Sequence, residues 1–157
     1  MTDKSGGNVP DLSGRLEGGE HRLHQRVYYE DTDFSGIVYH ARYLHFLERG
    51  RTDYLRCLGV EQSTLHTIDE EGLAFAVYHM DLKFIRPARM DDILEITTRT
   101  TKATGARMVL AQTISANGIV LTTATVTVVV INKHGRARRL PDDLAATLLL
   151  EASGGQA

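Results

Sequence analysis

Helical spacing is sustained over a long stretch only once in this chain, at residues 41–58, and the residues after it read as strand after strand. In "ARYLHFLERGRTDYLRCL", Tyr43, Leu44, Leu47, Tyr54, Leu55 and Leu58 recur at helical spacing, with Gly50 on the same stripe. Arg42, Glu48, Arg49, Arg51, Asp53 and Arg56 take the other side, where Arg49 and Asp53 are spaced for an i,i+4 pair. A glycine inside a helix costs roughly 1 kcal/mol against alanine, so Gly50 predicts close approach of another backbone. Gly59 is placed to cap the helix C-terminus.

The spacing predicts a strand over about 22–30 before this helix and a weakly signalled second helix over about 61–70. In 75–85, Tyr78, Met80, Leu82 and Phe84 alternate with Val77, His79, Asp81 and Lys83, the pattern of a half-buried strand. "RPARMDD" interrupts it, and a strand over about 92–102 comes next. "ARMVLAQTIS" and "GIVLTTATVTVVVI" flank Asn117-Gly118, a strong hairpin signal. Pro141, Asp142 and Asp143 suit the first turn of a short C-terminal helix. Strand and helix do not alternate, which argues against a doubly wound nucleotide-binding fold. The expectation is an α+β fold: a meander of four consecutive antiparallel strands, curved around one long helix. Residues 1–20 hold five glycines and almost no large apolar side chain, so they read as a disordered tail before a single domain over 21–157.

Composition narrows the function. A chain of 157 residues, 42% apolar and 24% charged, has the make-up of one soluble domain. A net charge of −2 gives no reason to expect nucleic acid as a partner. No apolar run is long enough for a transmembrane segment, and the opening residues lack the apolar core of a signal peptide. Cys57 is the only cysteine, excluding an internal disulfide and a multi-cysteine zinc site. The seven histidines form no H-E-x-x-H, so no metal is expected. A cytoplasmic enzyme or binding domain fits these constraints.

The chemistry is densest in "YYEDTDFSGIVYHARYL", residues 28–44, between the first strand and the long helix. Asp33 and His40 are seven residues apart, up to about 24 Å in an extended chain. A turn at Ser35-Gly36 would fold them back toward one site, and Gly36 suits it. His40 stands just before the helix, whose first-turn amides point outward as donors. A carboxylate and a histidine beside such donors suit acyl-group hydrolysis. The plainer alternative is that Asp31 and Asp33 punctuate a turn while His40 sits near the N-cap. Ser35 lacks the first glycine of G-x-S-x-G, and Cys57 reads as a small buried hydrophobe rather than a nucleophile. Basic groups for a phosphate ligand are present in "RPAR" and "KHGRARR", which also read simply as solvated turns.

"RVYYEDTDFSGIVYHARYLHFLERGRTDYLR", with "FIRPARMDDILEI" and "NKHGRARRLP", resembles the 4-hydroxybenzoyl-CoA thioesterase class, closest to the branch associated with the bacterial Tol–Pal system. The resemblance covers about residues 24–150 and implies a hotdog fold, with a long central helix wrapped by a curved antiparallel β-sheet. It implies an acyl-CoA thioesterase assembled as a dimer or tetramer of hotdogs, with active sites between subunits. Asp33 matches the family's catalytic aspartate, and His40 the histidine of this branch, its backbone N–H polarising the thioester carbonyl. Gly36, Tyr39 and His40 form the turn and oxyanion region. Tyr43, Arg86, Lys102 and Arg107 are candidate substrate contacts. Coenzyme A enters as part of the substrate, with acyl carrier protein the alternative carrier, and no separate cofactor is implied. One departure is "TKATGARM", which keeps only Lys102 and Arg107 where the 4-hydroxybenzoyl-CoA enzyme has adjacent basic residues. Two other activities remain open: a hotdog that binds an acyl group or a protein without turnover, and a hotdog dehydratase.

Overall fold

The computed structural model describes residues 13–60, 65 and 67–154. Strands β1 (Arg15–Glu17), β2 (Glu20–Arg26), β3 (Ala74–Phe84), β4 (Ile93–Thr104), β5 (Arg107–Ala116) and β6 (Ile119–Ile131) accompany helices α1 (Arg42–Cys57) and α2 (Asp142–Gly154). The architecture is the expected α+β arrangement. All six strands join one antiparallel sheet in the order β1-β2-β4-β5-β6-β3. Half of the second helix expected over 61–70, at 61–64 and 66, lies outside the described residues, and 67–70 are turn and bend rather than helix.

The sheet corrects two expectations. The four strands after α1 are not one consecutive meander: β4, β5 and β6 are, but β3 pairs with β6. The edge of β4 that β3 would have taken is occupied by β2, with His21 opposite Thr98. The second correction concerns the tail. Residues 13–20 belong to the fold, because Gly18 and Gly19, both at positive φ, turn β1 back onto β2 as a hairpin. Residues 1–12 lie outside the described residues.

The core lies between α1 and the concave face of the sheet. In β5, Met108, Leu110, Gln112, Ile114 and Ala116 are buried while their neighbours are not, the two-residue period of a sheet with one covered face. The helix buries Tyr43, Phe46, Leu47, Gly50, Arg51, Tyr54 and Leu55. Arg51, expected on the solvent side, is therefore inside. It donates to Gln112 Oε1 at 3.0 Å and to Glu48 at 2.7 Å. Gln112 in turn donates to the Leu47 carbonyl at 3.0 Å and to Thr98 Oγ1 at 2.9 Å. These bonds let Arg51 and Gln112 enter the core as partnered groups. The expected Arg49–Asp53 pair gives way to Arg49 on Gln25 and Asp53 on His21.

At its far end α1 closes with a Schellman motif, Gly59 N–H on the Arg56 carbonyl at 2.9 Å and Val60 N–H on the Leu55 carbonyl at 2.8 Å. The helix α2 packs against β4 and buries Leu144 and Leu148. Among the described residues no helix is long and apolar enough to cross a membrane.

Gly50 does bring the sheet close, through side chains rather than the expected backbone. A Cβ there would stand 2.7 Å from Ile96 Cγ2 and 3.2 Å from both Gln112 Nε2 and Thr98 Oγ1. Overpacking of this kind costs about 1–3 kcal/mol, against a helix-propensity gain of about 1 kcal/mol. Ile96 is β-branched and fully buried, so it has little room to yield. Gly50→Ala is expected to lower the urea midpoint of unfolding with the m-value unchanged.

Candidate active site

Between β2 and α1 the chain makes a tight, heavily bonded excursion. Residues Tyr29–Asp31 form a single 3-10 turn. Asp31 is buried, accepting from the Tyr28 amide at 2.9 Å and from Arg42 Nε at 3.1 Å. It is a structural clasp, in keeping with a turn role. Thr32 and Val38 bridge antiparallel, so residues 33–37 project as a loop. The loop closes through Asp33 N–H on the Ile37 carbonyl at 2.9 Å and Gly36 N–H on the Asp33 carbonyl at 3.0 Å. Gly36 has φ of 86°, a conformation that disfavours any side chain.

This turn presents Asp33 to solvent with one carboxylate oxygen held. The Ser35 amide donates to Asp33 Oδ1 at 2.8 Å, and the Ser35 hydroxyl donates to the same oxygen. The hydroxyl first, then the amide, and more weakly the charge of nearby His40 hold the Asp33 carboxyl below its ordinary value. With Oδ1 engaged, Oδ2 is the oxygen free to react. Ser35, expected only at the turn, is thus the group that orients Asp33. A serine two residues after an aspartate and directly before a glycine, Asp33-Phe34-Ser35-Gly36, was the signal for it.

The start of α1 differs from expectation in detail. The Arg42, Tyr43 and Leu44 amides turn back onto the carbonyls of Tyr39, His40 and Ala41 at 2.8, 3.3 and 3.2 Å. Tyr39 N–H is engaged by the Asp31 carbonyl at 2.9 Å, and Gly36 N–H by Asp33. Neither Gly36 nor Tyr39 therefore offers a free amide: of the expected turn and oxyanion region, Gly36 makes the turn and Tyr39 N–H is spent on Asp31. Among the described residues the His40 and Ala41 amides have no hydrogen-bond partner. Ala41 was missed because no side chain announces a free N–H. The exposed His40 ring packs on Tyr39 with centroids 4.6 Å apart.

Two hollows flank the loop. One of about 270 Å³ is lined by Ile37, Val38, His40, Tyr43, Phe84, Ile85, Arg86 and Pro87. The other, about 610 Å³, is lined by Tyr29, Thr32, Asp33, Phe34, Gly36 and Met90. Tyr43 lines the first while its buried hydroxyl accepts from the Ala88 amide at 2.9 Å. Burial pushes the Tyr43 phenol up. The Ala88 carbonyl accepts from Val38 N–H at 2.9 Å, so one buried residue fastens both the loop and the helix start.

Arg86 lies at the first hollow, but Lys102 and Arg107 do not join the site within one chain. They flank the β4–β5 hairpin, whereas the site lies beyond the other end of β4, near Val27 and Asp92. At about 3.3 Å per residue, the eight steps from Leu94 to Lys102 span roughly 26 Å. The Arg107 guanidinium lies 4.7 Å over the Tyr78 ring instead. Cys57 is exposed rather than buried as expected. Partial burial of its sulfur, then the Asp53 carboxylate, push its thiol up, away from a nucleophilic thiolate.

The chain matches the family model described as the thioesterase-like superfamily over residues 27–148. It is 45% identical over 107 residues to the acyl-CoA thioesterase YbgC of Haemophilus influenzae, covering 68% of this chain and 77% of that one. With the acyl-CoA thioester hydrolase YbgC of Escherichia coli O6:H1 it shares 42% identity over 123 residues, 77% and 90% of the two chains. The crystal structure of a probable thioesterase from Bartonella henselae superposes with a TM-score of 0.76 at 46% identity, covering 78% of this chain and 99% of that one. A 4-hydroxybenzoyl CoA thioesterase complexed with 4-hydroxybenzoyl CoA, at 20% identity and a TM-score of 0.74, shares the fold; it covers 82% of this chain and 98% of that one.

The geometry around Asp33 makes a direct prediction. In Ser35→Ala the Asp33 carboxylate loses its hydroxyl donor and keeps the backbone one. A carboxyl-carbon NMR titration should show its pKa moving up toward the ordinary aspartate value near 3.9. An unchanged pKa would mean that the hydroxyl bond does not persist in solution.

Proposed function

The chain belongs to the thioesterase-like superfamily, and we propose that it hydrolyses acyl-CoA thioesters to a free carboxylic acid and CoA, with Asp33 as the reacting carboxylate. The observation that supports this reading is a half-tethered carboxylate, close enough to His40 to feel its charge, on a loop that leads into a helix start where the His40 and Ala41 amides have no partner among the described residues. In the proposed reaction the thioester carbonyl oxygen accepts from those amides, which stabilise the charge that develops on it. Losing one such donor in acyl-transfer enzymes typically costs about 10²–10³ in kcat.

Asp33 acts by one of two balanced routes. As a general base, its free oxygen takes a proton from water while the water oxygen bonds to the carbonyl carbon. As a nucleophile, that oxygen bonds to the carbon itself, and water later cleaves the resulting anhydride. In both routes the carbon–sulfur bond breaks and CoA leaves as a thiolate that must be protonated. His40 is the side chain assigned to orient the water or deliver that proton. The apolar hollow under Ile37, Val38, Tyr43 and Phe84 is assigned to the acyl end, with Arg86 at its rim. The scheme uses only carboxylate, amides, imidazole and water, with CoA entering as substrate.

The same reading includes pairing of two copies along β3. The opposite edge of the sheet, β1, is three residues long and carries Arg15 and Glu17, both devices that discourage pairing. By contrast β3 has eleven residues, an open edge, and exposed Val77, Tyr78 and Phe84. Phe34, fully exposed beside Asp33, also calls for cover. A second copy would also be the source from which Lys102 and Arg107 reach a CoA phosphate. The cytoplasm, where acyl-CoA is at hand, is the compartment proposed.

Asp33 is exposed and its substitution by asparagine keeps the acceptor for the Ser35 amide, so Asp33→Asn should fold with unchanged stability. A panel of acyl-CoAs of different chain length, with an acyl carrier protein thioester included, is assayed for thiol release. Wild type is expected to turn over at least one member, and Asp33→Asn to lose about 10²–10⁴-fold in kcat. Full activity in folded Asp33→Asn would overturn the assignment of Asp33. No release from any member by wild type, together with measurable binding, would replace hydrolysis with a binding role.

A further inference from the structure

On the side of α1 facing β1 and β2, three side chains of different chemistry converge away from Asp33. His21 of β2 is fully buried, and its Nε2 lies 2.7 Å from Asp53 Oδ2. Asp53 and Cys57 are one helical turn apart on α1, with Cys57 Sγ 3.8 Å from the same carboxylate oxygen. One donor atom from each residue lies within 4.8 Å of the others. Gly14 closes the group from above: its N–H donates to Asp53 Oδ2 at 2.8 Å, and its carbonyl stands 3.5 Å from Cys57 Sγ. A side chain at position 14 has no room, since its Cβ would fall 2.4 Å from His21 Nε2 and 2.5 Å from Asp53 Oδ2. Sequence spacing hides this cluster, because the imidazole is 32 residues from the carboxylate.

We propose that His21, Asp53 and Cys57 bind a zinc-class divalent cation, which locks the β1–β2 hairpin onto α1. An imidazole nitrogen, a carboxylate oxygen and a thiolate are the donors that zinc and cobalt(II) take in tetrahedral sites. With bonds of about 2.0–2.3 Å, such a site sets donors roughly 3.3–3.8 Å apart. The Asp53–Cys57 separation already meets this, and the His21–Asp53 contact must open by about half an ångström. The Gly14 carbonyl or a water on the exposed Cys57 side supplies the fourth ligand. The proton balance is explicit: the Cys57 thiol releases its proton to solvent, and the Nε2 proton that faced Asp53 moves to Nδ1. That second nitrogen is buried and, among the described residues, has no hydrogen-bond partner. The resulting cost selects cations that bond strongly to imidazole and thiolate, and excludes magnesium and calcium.

The full-length protein, treated with chelator and dialysed, is titrated with cobalt(II) and then with zinc. The expected result is one cobalt per chain with a near-ultraviolet thiolate-to-cobalt absorption band, abolished by competing zinc and unaffected by magnesium or calcium. Zinc should raise the melting temperature of wild type and not of Cys57→Ser, in which zinc affinity falls at least about tenfold. Cys57 is exposed, so this variant should fold as the wild type does. Asp53→Asn, where it folds, should weaken the cobalt band by a similar factor. Absence of the band in folded wild type overturns the proposal. So does zinc binding of equal strength in Cys57→Ser, which would assign the metal to surface histidines. A cobalt band untouched in both Asp53→Asn and His21→Gln would overturn it too.

Discussion

Everything positioned at the front of this molecule depends on one contact: α1 lying against the sheet at Gly50. The missing side chain admits Ile96, Thr98 and Gln112 to the helix backbone. The Gln112 amide then ties the Leu47 carbonyl to the sheet, and Arg51 reaches in to take the other side of that amide. Buried polar groups are costly unless fully partnered, and here each finds its partner only in one register of helix against sheet. Tyr54 on Thr100 repeats the device one turn on, at 2.6 Å. Sliding the helix by a residue would strand these groups together, so its first turn has one place to sit.

That fixed first turn is what the site uses. The loop from Thr32 to Val38 does not hold Asp33 by burial; it holds it by a closed set of backbone bonds and by the Ser35 donors. Ala88 joins loop and helix through both of its peptide groups, to Val38 and to the Tyr43 hydroxyl. The carboxylate is thereby kept ionised and aimed while its surroundings stay open. A site this exposed has little low-dielectric enclosure of its own. The aromatic faces of Tyr29, Phe34 and Phe84 around it are the surfaces from which enclosure would have to come.

Much of this was legible in the sequence where a residue's meaning is local. The period of α1, the Asn117-Gly118 hairpin and the proline-led C-terminal helix follow from spacing and backbone preference, and the structure has all three. The Gly18-Gly19 hairpin was as local as Asn117-Gly118, yet the glycine-rich composition around it outweighed the two-residue turn signal. Non-local choices were hidden. Nothing in β3 alone says that it joins β6 rather than β4, since both partners present similar faces. Arg51 reads as a surface residue until Gln112, 61 positions away, is known to meet it. In the site, Asp33, Gly36 and His40 could be picked out by type. The loss of the Gly36 and Tyr39 amides to local carbonyls, and the freedom of the Ala41 amide, are facts of backbone geometry that no residue letter carries.

The proposed chemistry stands on the Asp33 carboxylate and the His40 and Ala41 amides acting on one carbonyl. A crystal structure of Asp33→Asn with a slowly turned-over acyl-CoA bound would observe that encounter itself. The thioester carbonyl oxygen is expected about 2.7–3.1 Å from both amides, with the residue-33 side chain against the carbonyl carbon. A carbonyl turned away from these amides, with water or another residue in its place, would refute the assignment.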